Sequence, residues 1–352
     1  MMPVPKPLRF IAQEERLDQI AQWISRYHSS IDAFIFAELI QPSLETTLRK
    51  TLFSLGYIHY TTQRLNLHTV RSGVVIYSRH PILATNDVSY QTECEGSDCL
   101  ADKNMLYAQL NVNGVSAHLF MTHLHAWSTP LSKSVRTQQL LQLRQFIDLH
   151  NIPSQELILV IGDFNIDNDK NEEVLQLLNA TNIPLASSQD TTMDPTLNPL
   201  VGLDNIEYYS NDEYPNGCVK EYWEQHICVC CPRSWIDYGV VVQNQTLVQH
   251  MSQEIIVPDI PKYTIPLGLL QTTWTLQNTV SDHFPIQINA SWESSPMART
   301  SPKVEMDRAW VWCTSYTWAV LLCLLILLIW VILVMVILPR YFNQVCACQT
   351  RV

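Results

Sequence analysis

"VIGDFNID" occupies residues 160–167, and its reading decides the fold. Val160 and Ile161 are strand formers, Gly162 adds no side chain, and the run then meets Asp163, Phe164 and Asn165. In an extended chain, residues two apart project to the same side, so Asp163 and Asn165 share a face while Phe164 turns to the core. The same polar ending recurs along the chain. Glu38 closes "IDAFIFAEL" (31–39), His123 lies at the end of "VSAHLFMTHLH" (115–125), Asp237 opens "WIDYGVVV" (235–242), and Asp282 and His283 interrupt "TVSDHFPIQINA" (279–290).

Any one of these residues is explained by a cap or a loop-facing side chain. Seven of them, all acidic, amide or imidazole, form a set. Strand ends gathered on one rim of a layered fold make an oxygen-rich site suited to a hard divalent ion such as Mg2+. Imidazoles beside it titrate near neutrality and suit general acid or base work.

The remaining pattern alternates helices with short apolar strands. "EERLDQIAQWISRYH" (14–28) carries Leu17, Ile20, Ala21 and Ile24 at helical spacing with acidic residues in its first turn. "SGVVIYS" (72–78), "MLYAQLNV" (105–112) and "ELILVIGDFN" (156–165) read as strands, and "SVRTQQLLQLRQFIDLH" (134–150) as an amphipathic helix. Two-faced apolar strands interleaved with helices predict an α/β fold with sheets covered by helices.

The chain has 352 residues, 47% hydrophobic and 16% charged, enough for a large folded domain. Near its end, "YTWAVLLCLLILLIWVILVMVIL" runs from Tyr316 to Leu338, twenty-three residues without a charge. As a helix it would be roughly 34 Å long, sufficient to cross a bilayer core with some tilt. Trp310, Trp312 and Trp318 near its start and Tyr341 after it suit the membrane interfaces. The expected organisation is therefore a catalytic domain at 1–292, a polar linker at 293–315, a transmembrane helix at 316–338 and a short tail at 339–352. Lys303 and Arg308 before the span balance Arg340 and Arg351 after it, so charge bias leaves the side of the domain open.

Net charge excludes one class of partner. Residues 301–352 hold four basic and two acidic side chains within a total of −11, so the first 300 residues carry −13. Such a surface repels a polyphosphate backbone, and no nucleic-acid partner is expected. The cysteines leave alternatives open. Cys94 with Cys99, and the crowded "CVCC" at 228–231, are disulfides in an oxidising compartment, reduced thiols elsewhere, or a metal knuckle with unusual spacing. The sequons at Asn179, Asn244 and Asn289 lean towards a lumenal domain. "MMPVPKPLRF", without an apolar core, and Cys346 and Cys348, placed for palmitoylation, lean the other way.

The motifs "AEL" with Glu38, "SGVVIYSRHPI" (72–82), "THLHA" (122–126), "GDFN" (162–165), "WIDY" (235–238) and "SDHFPI" (281–286) resemble, in order and spacing, the endonuclease/exonuclease/phosphatase superfamily over residues 8–292. The resemblance implies the four-layered α/β sandwich of pancreatic deoxyribonuclease, two central mixed sheets flanked by helices. Within the superfamily, "THLHA", "SRHPI", "VRTQQLLQLRQFI" and "CLADKNMLYAQL" are most similar to neutral sphingomyelinases.

That resemblance implies Mg2+-dependent hydrolysis of sphingomyelin to ceramide and phosphocholine at a membrane surface. By it, Glu38 is the metal ligand, and Asp163 and Asn165 position the scissile phosphate and the attacking water. His283 is the general base with Asp282 fixing its tautomer, His123 donates to a phosphoryl oxygen, and Asp237 holds the hydrogen-bond network. Lys103 contributes to the substrate site, although the family follows that lysine with Gly where this chain has Asn104. His125 is at best an accessory, and His59, His68 and His80 are surface or packed histidines. The superfamily also begins with a strand ending in a metal-binding Asn. Here "PKPLRFIAQ" (5–13) has none, so Gln13 or water replaces it, or the first strand is missing. Two other classes stay in view: a nuclease or inositol-phosphate phosphatase of the same fold, and a catalytically silent membrane-anchored scaffold.

Overall fold

The computed structural model describes residues 13–63, 71–127, 129–154, 156–167, 192, 236–242, 248–267, 272–277, 283 and 285–292. All lie within the first of two compact units, Met1–Met297; the second, Ala298–Val352, contains none of them. Helix α1 (Gln13–Tyr27) buries Leu17 and Ile24 from the predicted stripe, with Glu14 and Glu15 in its first turn and Arg26 in its last, matching the helix dipole. Helix α2 (Pro42–Ser54) starts on a proline whose missing N–H costs nothing in the first turn. Its Leu44, Leu48 and Leu52 recur every fourth residue and are buried, each contributing about 2 kcal/mol.

Strands β1 (Ala33–Phe36), β2 (His59–Tyr60) and β3 (Val75–Ser78) form an antiparallel sheet with β3 in the middle. A second sheet runs in the order β4 (Ile82–Ser89), β5 (Asn104–Val112), β6 (Val115–His123), β7 (Leu157–Asp163) and β8 (Asp237–Val241). It is mixed: β6 and β7 pair in parallel and every other neighbour antiparallel. A parallel pair needs a crossover, supplied by α3 (Pro130–Leu149), whose N-terminus is capped by the Thr129 side chain accepting from Ser132 N. Strands β9 (Val248–Ile255) and β12 (Ile286–Trp292) pair antiparallel, as do β10 (Tyr263–Leu267) and β11 (Thr272–Leu276).

Three apolar clusters show how these elements stack. Leu17 and Ile24 of α1 and Leu44, Leu48 and Leu52 of α2 pack on Val75 and Tyr77 of β3. The opposite face of β3, through Ile76, meets Leu106, Ala108, Leu119, Met121, Leu159 and Ile161 of the five-stranded sheet. That sheet's far face packs Phe120, Ile158 and Val160 on Leu140, Leu143, Phe146 and Ile147 of α3. Alternating strand residues thus divide between two cores, which is why the strands read as continuous apolar runs. Among the described residues, no helix is long and apolar enough to cross a membrane. The expected span at 316–338, with its linker and tail, lies outside those residues.

Candidate active site

The parallel register sets His123 opposite Asp163, and the next pairing sets Asp163 opposite Asp237. Residues directly opposite on neighbouring strands project to the same face, so the end of β6, the end of β7 and the start of β8 make one row. His283, just ahead of β12, adds to it: its Nδ1 lies 2.9 Å from Asp237 Oδ2 and 4.0 Å from Asp163 Oδ2. Glu38 joins from the other sheet, two residues past β1, with Oε1 3.8 Å from His123 Nε2. Its backbone is left-handed at φ 57 and packs on Gly73, where any Cβ would meet the Glu38 backbone at 2.6 Å. The glycine of "SGVVIYS" is there because nothing larger fits.

Lys103 reaches the row from the loop before β5. Its Nζ is 2.9 Å from His123 Nε2 and 3.3 Å from Asp98 Oδ2. An ammonium carries only donors, so in this state His123 Nε2 accepts and the ring proton sits on Nδ1. Burial, followed by the Lys103 ammonium, pushes the His123 imidazole down to about 4 against the pull of Glu38 and Asp98. Asp163 moves the other way: burial and then the Asp237 charge push its carboxyl up to about 8, opposed by His283 and Lys103. Burial also raises Asp98, but Lys103, His123 and the Ala126 N–H outweigh it and hold that carboxyl below its ordinary value.

A buried carboxylate displaced so far upward beside a second carboxylate calls for a positive charge. The donors fit a hard divalent cation. Glu38 and Asp163 both approach one nitrogen of His123, at 3.8 and 3.5 Å, so their carboxylates face a common space. Asp163, Asp237 and His283 each offer a ligand atom, and these lie within 4.8 Å of one another.

The structure brings together Glu38, Lys103, His123, Asp163, Asp237 and His283; Asp282 lies outside the described residues. The carboxylate found on His283 is that of Asp237. Asn165 departs from the alternation argument, because β7 ends at Asp163 and the chain turns. Asn165 is left-handed at φ 50, its N–H donates to Asp163 Oδ1 at 2.8 Å, and its side-chain amide donates to Leu124 O at 3.0 Å. Phe164 does face the core, fully buried. Asn104, in the family's glycine position, is buried and donates to Asp87 Oδ1 at 2.6 Å, tying β5 to β4. His125 is buried against Asp98, Nδ1 to Oδ2 3.3 Å, and His80 Nε2 lies 2.9 Å from Asp32 Oδ1. His68, Asn179, Asn244, the "CVCC" run and, apart from Gln13, the "PKPLRFIAQ" stretch lie outside the described residues.

Sequence reasoning missed Asp98, which contacts Lys103, His125 and the Ala126 N–H from a short 3-10 turn (Gly96–Leu100). A disulfide between Cys94 and Cys99 closes that turn, resolving one of the open cysteine readings. The available signal was an acid five residues before Lys103 between two cysteines.

A model of the endonuclease/exonuclease/phosphatase family matches residues 10–283. Sphingomyelinase C of Bacillus cereus is 25% identical over 230 residues, 62% of this chain and 61% of its own length. The chain thus spans about three fifths of that relative. Sphingomyelinase C of Listeria ivanovii is 24% identical over 294 residues, 78% of this chain and 79% of its own. A solved variant of beta toxin from Staphylococcus aureus, with bound magnesium ions, is 19% identical and superposes with a TM-score of 0.64 over 80% of this chain and 93% of that one. At that identity the likeness is one of fold.

Proposed function

The chain belongs to the endonuclease/exonuclease/phosphatase family, and from that premise we propose that it is a Mg2+-dependent phosphodiesterase that hydrolyses sphingomyelin to ceramide and phosphocholine. The observation that carries the reading is the row of His123, Asp163 and Asp237, completed by His283 with Nδ1 on Asp237 at 2.9 Å. The Asp237 carboxylate holds the His283 proton on Nδ1, which makes Nε2 the basic nitrogen that removes a proton from water. The water oxygen bonds to phosphorus, its proton passing to His283 Nε2, as the bond from phosphorus to the ceramide oxygen breaks, and the departing alkoxide takes up a proton from solvent. Lys103 supplies a fixed positive charge for the phosphoryl oxygens, with His123 beneath it. Mg2+ held by Glu38, with Asp163 close by, would supply Lewis-acid stabilisation of the phosphoryl and leaving oxygens.

The substrate class is supported by the two relatives named sphingomyelinase C and by the apolar run at 316–338. A domain at 1–292 tethered by a transmembrane helix through a linker at 293–315 meets a bilayer lipid at high effective concentration. The anchor leaves the side of the membrane open.

The test is hydrolysis of sphingomyelin, phosphatidylcholine and a short single-stranded DNA by the detergent-solubilised chain, in Mg2+ or EDTA, beside His283→Ala. Mg2+-dependent phosphocholine release from sphingomyelin that disappears in the variant is the expected result. Turnover of DNA alone would move the reading to a nuclease, and turnover of nothing would favour the silent scaffold.

A further inference from the structure

Arg136 occupies the buried stripe of α3 between Val135 and Gln139, 2% exposed. Its Nη1 donates to three consecutive backbone carbonyls, His125 O at 3.1 Å, Ala126 O at 3.2 Å and Trp127 O at 2.5 Å. One turn further along the helix, Gln139 Oε1 accepts from His125 N at 2.9 Å. The segment so held has Trp127 left-handed at φ 72, uncommon for a bulky side chain. Three successive carbonyl dipoles converging on one point repel each other unless a cation sits among them, and here a buried guanidinium does.

With its carbonyls drawn towards α3, the segment sends the Ala126 N–H to the opposite side, where Asp98 Oδ2 accepts it at 2.5 Å. The same oxygen lies 3.3 Å from His125 Nδ1 and 3.3 Å from Lys103 Nζ. Lys103 Nζ in turn is 2.9 Å from His123 Nε2. A continuous path of polar contacts therefore leads from the interior of α3 to the Lys103 ammonium beside His123.

We propose that Arg136 is a positioning residue for the phosphodiester site: by fixing the 125–127 turn it fixes Asp98, and through Asp98 the place of Lys103. The inference rests on the proposed phosphodiesterase reading for its catalytic consequence, while its structural half is independent of the substrate. Gln139 supports the same turn from the same helix face. Arg136 would leave substrate affinity nearly unchanged and affect the rate of the chemical step, because its acceptors are on the turn and not on bound lipid.

The full chain in detergent, metal-free, is treated with a water-soluble acetylating ester, and acetylation of Lys103 is followed by mass spectrometry well below the melting midpoint. Arg136→Met should raise the rate at Lys103 about tenfold by freeing the turn to open locally, with Arg136→Lys in between. In Mg2+, kcat on sphingomyelin should fall in the same order, by one to two powers of ten for a displacement of about 1 Å, with KM little changed. An unchanged Lys103 rate and an unchanged kcat, with only the melting midpoint lowered, would overturn the proposal and leave Arg136 a stabilising residue. Should Arg136→Met not fold, Arg136→Lys decides by the same two readouts. If the wild type turns over no phosphodiester, the functional reading fails and the Lys103 rate alone decides the positioning role.

Discussion

Replacing Gly162 with alanine tests the register on which the candidate site depends. An ideal Cβ at Gly162 lies 1.9 Å from Thr122 O, 2.9 Å from Thr122 C and 3.1 Å from Thr122 N. Real Cβ atoms stay outside 3.0 Å, so β6 and β7 must separate by at least 1.1 Å, the difference between 3.0 and 1.9 Å. The obstacle is the Thr122 backbone itself, so no flexible side chain can swing away. The backbone at Gly162 is also at φ 154, which an L side chain rarely adopts. Forced overpacking of this kind costs about 1–3 kcal/mol, to which the backbone strain adds. The parted pair is immediately before His123 and Asp163, whose side chains now sit 3.5 Å apart, so a shift of about 1 Å there reduces kcat roughly a hundredfold. Urea unfolding of the full chain in detergent measures the first effect, and phosphocholine release at saturating Mg2+ measures the second. Gly162→Ala with an unchanged urea midpoint and a kcat within twofold of wild type would refute the close approach and the row built on it.

Gly73→Ala should act on the metal instead, since its Cβ would strike the Glu38 backbone at 2.6 Å; the Mg2+ concentration for half-maximal activity should rise about tenfold or more, and an unchanged value would separate Glu38 from metal binding. Asp163→Asn tests the displaced carboxyl in EDTA. Wild-type Asp163, pushed up to about 8, holds a proton in the folded state that the unfolded chain releases near pH 4. Folding therefore takes up a proton between those values, wild-type stability falls as pH rises, and the loss levels off above about 8. The excess stability of Asp163→Asn should be near zero around pH 4 and reach a few kcal/mol at pH 9; parallel pH profiles from urea unfolding would contradict the shift. Finally, joint Cys94→Ser and Cys99→Ser removes a cross-link over five residues and should cost about 2 kcal/mol by urea unfolding while lowering kcat through Asp98; equal midpoints and rates would show that the turn holds itself.

Elements with a clean period were legible in the sequence. The stripe of Leu17, Ile20, Ala21 and Ile24 became α1, and the apolar runs read at 115–125 and 156–165 became β6 and β7, which stop two residues earlier at His123 and Asp163. Helix α2 was not assigned although Leu44, Leu48 and Leu52 repeat every four residues, because Thr46, Thr47 and Thr51 between them weaken its propensity. Strand β4 lies on the edge of its sheet and exposes Leu83 and its neighbours, so "ILATNDVS" shows no alternation to read.

For the site, chain order revealed which residue types belong to it but not who touches whom. Asp237 reaches His283 across 46 residues, a pairing that only the sheet creates. The expectation that Asn165 shares the face of Asp163 assumed an extended chain, whereas the chain turns after Asp163, with Asn165 N–H on Asp163 Oδ1 and its side-chain amide on Leu124 O. Arg136 left a trace that pattern reading passes over, a cation on the apolar stripe of an amphipathic helix.

The row across β6, β7 and β8 also has a meaning in time. Asp163 is in place once β7 docks beside β6, but Asp237 arrives 74 residues later and His283 a further 46. Pairings at such sequence separations are slow to form because the intervening chain must close first. A nascent or half-folded chain therefore carries His123 and Asp163 without Asp237 and His283. If the proposed reading holds, the site is complete only with the last strands to dock, and a half-folded chain would leave a neighbouring lipid bilayer intact.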